Sequence, residues 1–536
     1  MNTSSVSPPR TTARPLKRAL LTIPLLVASV AAAALFGSAI AAPAHAASKA
    51  GVPAPGKGGK VVWASFLPST WDPITSTAGT DVTALSLVYS GLTKMDTKGR
   101  PVPDLASAWT WSKTGLALTF TLRPGLVFSD GTKLDSKAVK QNILRGRDDP
   151  KSLIAPQLAP ISSVSTPSPT TVIVRLSTPD FDLLRVLAGK TGELVSPKAF
   201  TTNPAGLSTQ PDGAGPFTLT NLVSGSSATL VRNPTYWNAS QILLSELDLR
   251  FITNPQTVVA SLKTGDINMA WLGTNTVIPA LLGQPGIKID VVPSLRAYSI
   301  EVNQAMAPFT NFKVVQAVNY AIDRATIVKT IFGSIGKVSY QAFPRGYVGY
   351  SQDAANLYPY DPAKAKALLA AAGYTSGGPS FAITYFDYGS YKALAQLLQA
   401  ELNAVGFQTT LTVLPLAQAA QAVYVDHSVA FNPNGISGRE SPLQMLQVQY
   451  ATNGLLNPCR CAPSKLTAAF NAVAKVPFDS KTYPATLQKA TALAAQTSAN
   501  IFIATQPWVY AHSAAIEGLQ PYLVTERFEG VYVAQQ

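Results

Sequence analysis

The chain is poor in residues that do chemistry. Its 536 residues include two cysteines and three histidines, and only 13% are charged. His45 lies in an N-terminal apolar segment, so the body carries His427 and His512 alone. No Gly-x-Ser-x-Gly elbow and no His-Glu-x-x-His pair occurs, which removes the common serine-hydrolase and zinc-protease motifs. A hydrolase would need one of those two histidines as base beside a nucleophile with no recognisable motif. The chain is therefore not read as an enzyme. It also lacks a dense Lys/Arg run interleaved with aromatics, which argues against nucleic-acid binding. The Gly-rich stretch Pro211–Phe217 has no Lys and no Ser/Thr, so it is not a phosphate cradle. No cofactor is expected.

Cysteine is confined to Cys459 and Cys461. In an oxidising compartment a disulfide is the expected state, although a bridge between residues two apart is tight. A two-thiolate metal site and free thiols are the alternatives. The metal site would lack ligands, because zinc or nickel wants three or four and no histidine lies close in sequence.

Residues 1–46 read as an export signal. Arg10, Arg14, Lys17 and Arg18 supply a basic start with no acids. An uncharged Ala/Leu-rich run follows from Ala19, and Ala44-His45-Ala46 fits a small-x-small cleavage site. Cleavage would leave Ala47 first. Ala19 to Ala42 is also long enough to span a bilayer, so a retained anchor is the alternative. Either way the body lies outside the cytoplasm, whether secreted, periplasmic or held at the envelope. No cysteine precedes Cys459, so a lipid-attachment cysteine is not available. The formal charge is +14, four of it from the signal, and the rest favours anionic surroundings such as cell-wall polymers.

A body of this length exceeds one core, and two or three lobes are expected. Leu118 to Arg145 is its most legible stretch. Leu118, Phe120 and Leu122 alternate with Thr119, Thr121 and Arg123, the pattern of a half-buried strand. Pro124-Gly125 turns the chain, Val127-Phe128 predicts a short strand, and Asp130-Gly131 is a second turn. Asp135 or Ser136 then caps a helix whose Val139 and Ile143 share one face. Further on, Thr171 to Leu176 predicts a strand and Phe181 to Ala188 a helix. Asp361 predicts an N-cap, Pro362 the first helical position and Gly373 the helix end. Phe381–Phe386, Tyr391–Val405 and Phe407–Val413 predict a strand–helix–strand unit, as in an α/β lobe.

Phe120 to Thr132 (FTLRPGLVFSDGT), followed by the helix bearing Ala138-Val139, resembles the signature of the family 5 extracellular solute-binding proteins, the peptide and nickel receptors of ABC importers. Further similar segments follow in the family's order: Tyr89–Leu92, Pro103–Trp109, Pro211–Phe217 with Ala214 where Thr is usual, Val231–Trp237, Ala260–Ile267, Tyr298–Asn303, Ala305–Arg324 with Val315 where Arg is usual, and Asp361–Tyr374. The likeness runs from about Gly58 to the C-terminus.

The resemblance implies an α/β, type II periplasmic-binding-protein-like fold, with two large lobes joined by a hinge and an extra subdomain. The expected order is 1–46 signal peptide, 47–91 lobe I, 92–210 subdomain II, 211–300 lobe I again, 301–505 lobe III and 506–536 the return to lobe I. It implies a monomer that binds a peptide or other small solute between the lobes and docks on an ABC permease. The ligand-facing positions it suggests are Thr77, Gly79, Trp271, Asn303, Asn432, Arg439, Glu440, Trp508 and Tyr510, with no metal site. Peptide-binding relatives carry an Asp four positions before a Pro that pairs with the peptide's amino terminus; here that position is Gly438. Glu440 is then a replacement anchor, or Arg439 a receiver of carboxylate. Trp109, Trp111, Arg123 and Asp130 are expected to be structural. A non-peptide solute (amino-acid derivative, sugar or metal chelate) and an orphan secreted binder without a transporter are the alternative functions.

One prediction comes from the leader. The exported protein should begin at Ala47 by intact-mass analysis; a species that retains residues 1–46 would establish the anchored form.

Overall fold

The structure is a computed structural model that describes residues 58–273, 275–333, 335–387 and 389–534. The stretch 1–46, read from the sequence as an export signal, lies outside these residues. Among the described residues no helix is long and apolar enough to cross a membrane.

A nine-stranded sheet organises the body. Eight strands run in the spatial order Phe431–Ile436, Ile287–Val302, Asn500–Ser513, Met269–Trp271, Lys60–Ala64, Glu246–Arg250, Ser227–Arg232, Phe217–Val223. The ninth, Lys337–Val338, pairs with Asn500–Ser513. Lys60–Ala64 lies parallel to both its neighbours, which brings three distant segments into one layer. Its Val61 and Trp63 are buried beneath that layer.

Two strands are far longer than the rest. Ile287–Val302 has 16 residues and Asn500–Ser513 has 14, and they pair antiparallel over most of their length. Their ladder is interrupted between the pairs Val292–Trp508 and Arg296–Gln506. Pro293 and Pro507 sit in this gap, and neither has an N–H to give to a ladder. Ser294 repairs part of the loss: its Oγ donates to the Gln506 carbonyl at 2.6 Å and accepts from the Arg296 N–H at 3.0 Å. The gap is thus a bulge encoded by two prolines.

Beyond the bulge a large core gathers mostly residues 295–504, including Phe309, Phe381, Phe431 and Leu398. It contains the parallel pair Ser380–Phe386 and Gln408–Leu414 with the helix Tyr391–Ala404 between them, as the alternation predicted. The helix Pro362–Ala371 begins as read: Asp361 accepts from the Lys364 N–H at 2.9 Å. On the other side, Trp63, Trp71, Tyr89, Leu230, Trp508 and Phe528 belong to a second core. A third core belongs to residues 74–214. Its antiparallel sheet runs Ala106–Trp111, Ala117–Leu122, Thr171–Leu176, Ile161–Ser168. Leu118 and Phe120 are fully buried and Leu122 nearly so, each contributing roughly 1.5–3 kcal/mol.

Local departures from the sequence reading are small and have physical causes. Val127 makes one bridge, to Lys133, instead of a strand, because the Asp130-Gly131 turn closes immediately after it. The helix within Phe181–Ala188 is only Leu183–Val186; Phe181 is drawn away by its backbone bond to the Ala474 carbonyl. Asp135, and not Ser136, caps the helix Ser136–Asp148. Trp109 and Trp111 pack against the third core. The Arg123 guanidinium stacks on Trp237 at 3.7 Å.

The third core is fastened to the rest by charge. On the helix Ser136–Asp148, Arg145 grips Asp72 bidentately, at 3.0 and 2.5 Å, with Asp72 6% exposed. Removing one member leaves a buried, uncompensated charge, so Asp72→Asn or Arg145→Ala should lose about 3–5 kcal/mol in urea unfolding. The double variant should lose less than the sum; additive losses would show that the pair is not coupled.

Candidate ligand-binding site

The proline bulge places Arg296 and Trp508 next to one another. Arg296 is 3% exposed. Its guanidinium lies 4.5 Å from the Trp271 ring centre, 5.1 Å from Tyr298 and 5.4 Å from Trp508. Its Nη2 donates to the Tyr298 hydroxyl at 3.0 Å. Cation–π attraction of this kind is worth about 2 kcal/mol or more once water is excluded. Phe66 continues the aromatic wall, 5.0 Å from Trp271.

Of these residues Trp271, Arg296 and Tyr298 line a cavity of about 50 Å³, and Trp508 and Phe66 pack against Trp271. Ile252, Val258 and Val277 provide apolar wall on one side, and Tyr298 and Tyr391 close the other. The Tyr391 hydroxyl accepts from the Gly435 N–H at 2.8 Å. A Cβ at Gly435 would fall 2.7 Å from that hydroxyl and 3.2 Å from Arg296 Nη2, so glycine gives the guanidinium its room. Beside the same bulge, a larger and more open hollow of about 420 Å³ is bordered by Pro293, Leu295, Tyr347 and Pro507 with Lys337 and Arg345.

A second polar region surrounds the loop 76–81. Asp81 accepts from Ser69 at 2.6 Å and Ser76 at 2.7 Å. Lys190 donates to the Ser76 carbonyl at 2.7 Å, and burial pushes its ammonium down to about 8 against the pull of Asp81. The loop so held presents Gly79 to Arg439, whose Nη1 is 2.5 Å from where a Cβ would stand. Glu440 accepts from Thr525 Oγ at 2.6 Å. Ser441 bonds Asp182, and Gln444 reaches Gln157 at 2.5 Å. Residues 438–444 are thereby tied to Gln157 and Asp182 in the segment of the third core and to Thr525 near the C-terminus.

The sequence-selected residues fall into separate groups. Trp271, Trp508 and Tyr510 form one aromatic run, with centres 5.6 and 6.4 Å apart. Tyr510 donates to Glu526, beside a different cavity from that of Trp271. Gly79, Arg439 and Glu440 cluster at the bridging segment, where Arg439 and Glu440 border a cavity of about 20 Å³. Thr77 bonds Ser69. Asn303 donates to the His427 carbonyl at 3.1 Å and accepts from Ala305 N–H. Asn432 donates to Glu301 at 2.8 Å. Gly438 has φ of +88° and faces Leu295, which a Cβ would strike at 2.6 Å. Cys459 and Cys461 form a disulfide. No group of three or more His, Cys, Asp or Glu able to hold a metal is found among the described residues.

Sequence reasoning missed Arg296 and Tyr391. The available signal was the lone basic residue in the segment Leu295–Val302 of the long strand Ile287–Val302.

Glu301 is an acid buried in this strand, 1% exposed, with amide donors from Asn432 and Asn434 at 2.8 and 2.9 Å. Burial pushes its carboxyl up from 4.5 to about 7. Between those values the folded chain binds more protons here than the unfolded one, so this group makes stability fall as pH rises through that window. Glu301→Gln keeps the shape without the titration. Its melting temperature relative to wild type should rise by about 1–4 °C from pH 5 to pH 8; a pH-independent difference in calorimetry would remove the assignment.

Known proteins share this architecture. The glutathione-binding protein GsiB of Salmonella paratyphi A is 28% identical over 356 residues, 66% of this chain and 69% of its own. The periplasmic binding protein DppA of Helicobacter pylori, solved with the peptide STSA, superposes with a TM-score of 0.83 at 23% identity, over 89% of this chain and 99% of its own. AgaA of A. tumefaciens R10, solved with agropinic acid, gives 0.81 at 24%, over 89% and 99%. These superpositions carry the type II binding-protein fold. Residues 100–453 match the family model for the middle region of the bacterial extracellular solute-binding proteins, family 5. The chain belongs to that family, whose members are extracytoplasmic binding receptors of ABC importers and not enzymes.

Proposed function

We propose that this receptor captures short peptides or peptide-like solutes and hands them to an ABC permease as a monomer, after residues 1–46 have been removed. The observation that carries the reading is the aromatic cavity at the proline bulge, lined by Trp271, Arg296, Tyr298 and Tyr391. Lobe I would comprise 47–91, 211–300 and 506–536, subdomain II 92–210, and lobe III 301–505. Aromatic side chains give large contact area at low entropic cost and tolerate varied ligands. Contacts completed only when both sides meet the ligand shift the population toward the closed form, which is the form a permease can distinguish.

A cavity of about 50 Å³ takes a head group and not a whole peptide, so a peptide would enter with the lobes further apart. Trp271 would wall the site with Trp508 packed against it, and Thr77, Gly79 and Arg439 would meet only a solute that reaches beyond this cavity. A non-peptide amino-acid derivative is the second reading, favoured by the small size of the cavity.

The test is a thermal-shift screen of the mature protein against di- to pentapeptides, glutathione, agropinic acid, sugars and nickel–histidine. A peptide at 100 times its dissociation constant should add about 2.7 kcal/mol of apparent stability. If no peptide raises the melting temperature while another class does, the peptide reading is lost and that class replaces it.

A further inference from the structure

We infer that Arg185, Gln444 and Tyr483, at a seam that borders none of the aromatic cavity, are positioning residues that set the receptor's affinity by making closure costly. The inference rests on the reading that the two sides close on a solute, and it deepens that reading.

The seam lies where the third core meets the large core, and Phe478 packs against both. Residues 157–191 stand on one side and residues 441–483 on the other. The Phe181 N–H donates across it to the Ala474 carbonyl at 2.8 Å. Ser441 bonds Asp182, and Gln444 Nε2 donates to Gln157 at 2.5 Å and to Thr191 at 3.3 Å. Arg185 lies over the rings of Phe478 and Tyr483, at 4.5 and 5.7 Å.

These bonds leave part of the buried polar surface unmet. Arg185 Nε, Gln444 Oε1 and the Tyr483 hydroxyl have no hydrogen-bond partner in the protein among the described residues. Their residues are 8%, 4% and 1% exposed. With the seam parted, water satisfies each of them. With it joined, each loses that bond, and one unmet buried group shifts an equilibrium by about 5- to 150-fold. The rings beside Arg185 offset part of its share. Tyr483 gives the cleanest case, because its ring packs in the large core and only its hydroxyl is unmet.

The same seam is therefore tied and penalised at once. Solute contacts made elsewhere have to outweigh the penalty before the closed form is populated. Residues that touch no solute then control how tightly one is held.

The experiment reads closure directly. The mature protein is labelled for single-molecule energy transfer at Lys137→Cys and Lys489→Cys, exposed positions on either side of the seam. Cys459 and Cys461 are bonded to each other and take no label. Without solute, Tyr483→Phe should raise the ratio of closed to open molecules at least about 5-fold. Gln157→Ala removes a bond across the seam and should lower that ratio at least about 3-fold. Glutathione and the peptide STSA are then titrated. Whichever wild type binds should leave Tyr483→Phe more slowly, by a factor similar to the shift in the ratio.

A closed-to-open ratio in Tyr483→Phe within about twofold of wild type would overturn the inference. A raised melting temperature with the ratio unmoved would overturn it too, since that is a packing effect alone. A single state common to wild type and both variants would have the same result. Binding of neither solute counts against the peptide reading alone, because the ratio is read without solute. Should Gln157→Ala fail to fold by circular dichroism, Tyr483→Phe decides alone.

Discussion

Everything in this molecule hangs on two strands that cannot pair where they most need to. Ile287–Val302 and Asn500–Ser513 are the two longest strands of the sheet, and a uniform ladder would make them one stiff ribbon. Pro293 and Pro507 interrupt the ladder between Val292–Trp508 and Arg296–Gln506. Backbone donors are missing there by covalent structure, so no side-chain change elsewhere restores them. The ladder resumes on either side of this one gap.

The aromatic cavity follows from the same interruption. A bulge turns side chains that a regular ladder would alternate, and it gathers Arg296, Tyr298 and Trp508 at one level. Around them the structure uses long-range polar ties: Arg145 with Asp72, Glu440 with Thr525, and Asp182 with Ser441. Each tie joins parts of the chain distant in sequence, and each is buried or half-buried. Loss of one partner therefore exposes a desolvation cost and not merely a missing contact.

Much of the fold was legible because it is written locally. Asp361-Pro362 at a helix start, the alternation of Leu118, Phe120 and Leu122, and the strand–helix–strand pattern of 380–414 are all decided by neighbours within a few residues. The site was less legible because it is decided by register. Arg296 looks like any strand arginine until its partner strand and the bulge are known. Glu440 and Arg439 drew attention as charges in an atypical segment, and the structure places them beside Thr525 and Gly79, away from the aromatic wall. Asn432 read as a pocket amide, yet its hydrogen bond goes to Glu301, on the strand next to it. Tyr391 opens a helix, and nothing near it in sequence announces that its hydroxyl reaches Gly435.

The small ring closed by Cys459 and Cys461 has a consequence for survival outside the cell. Arg460 between them is exposed and is held at φ of +49°, with its Nε donating to His427 at 2.7 Å. Secreted proteases that cut after basic residues need the substrate backbone extended through their active site. An arginine held in the left-handed region inside a closed ring is not extended. The most conspicuous basic residue of this loop is thus presented in a shape such an enzyme does not accept.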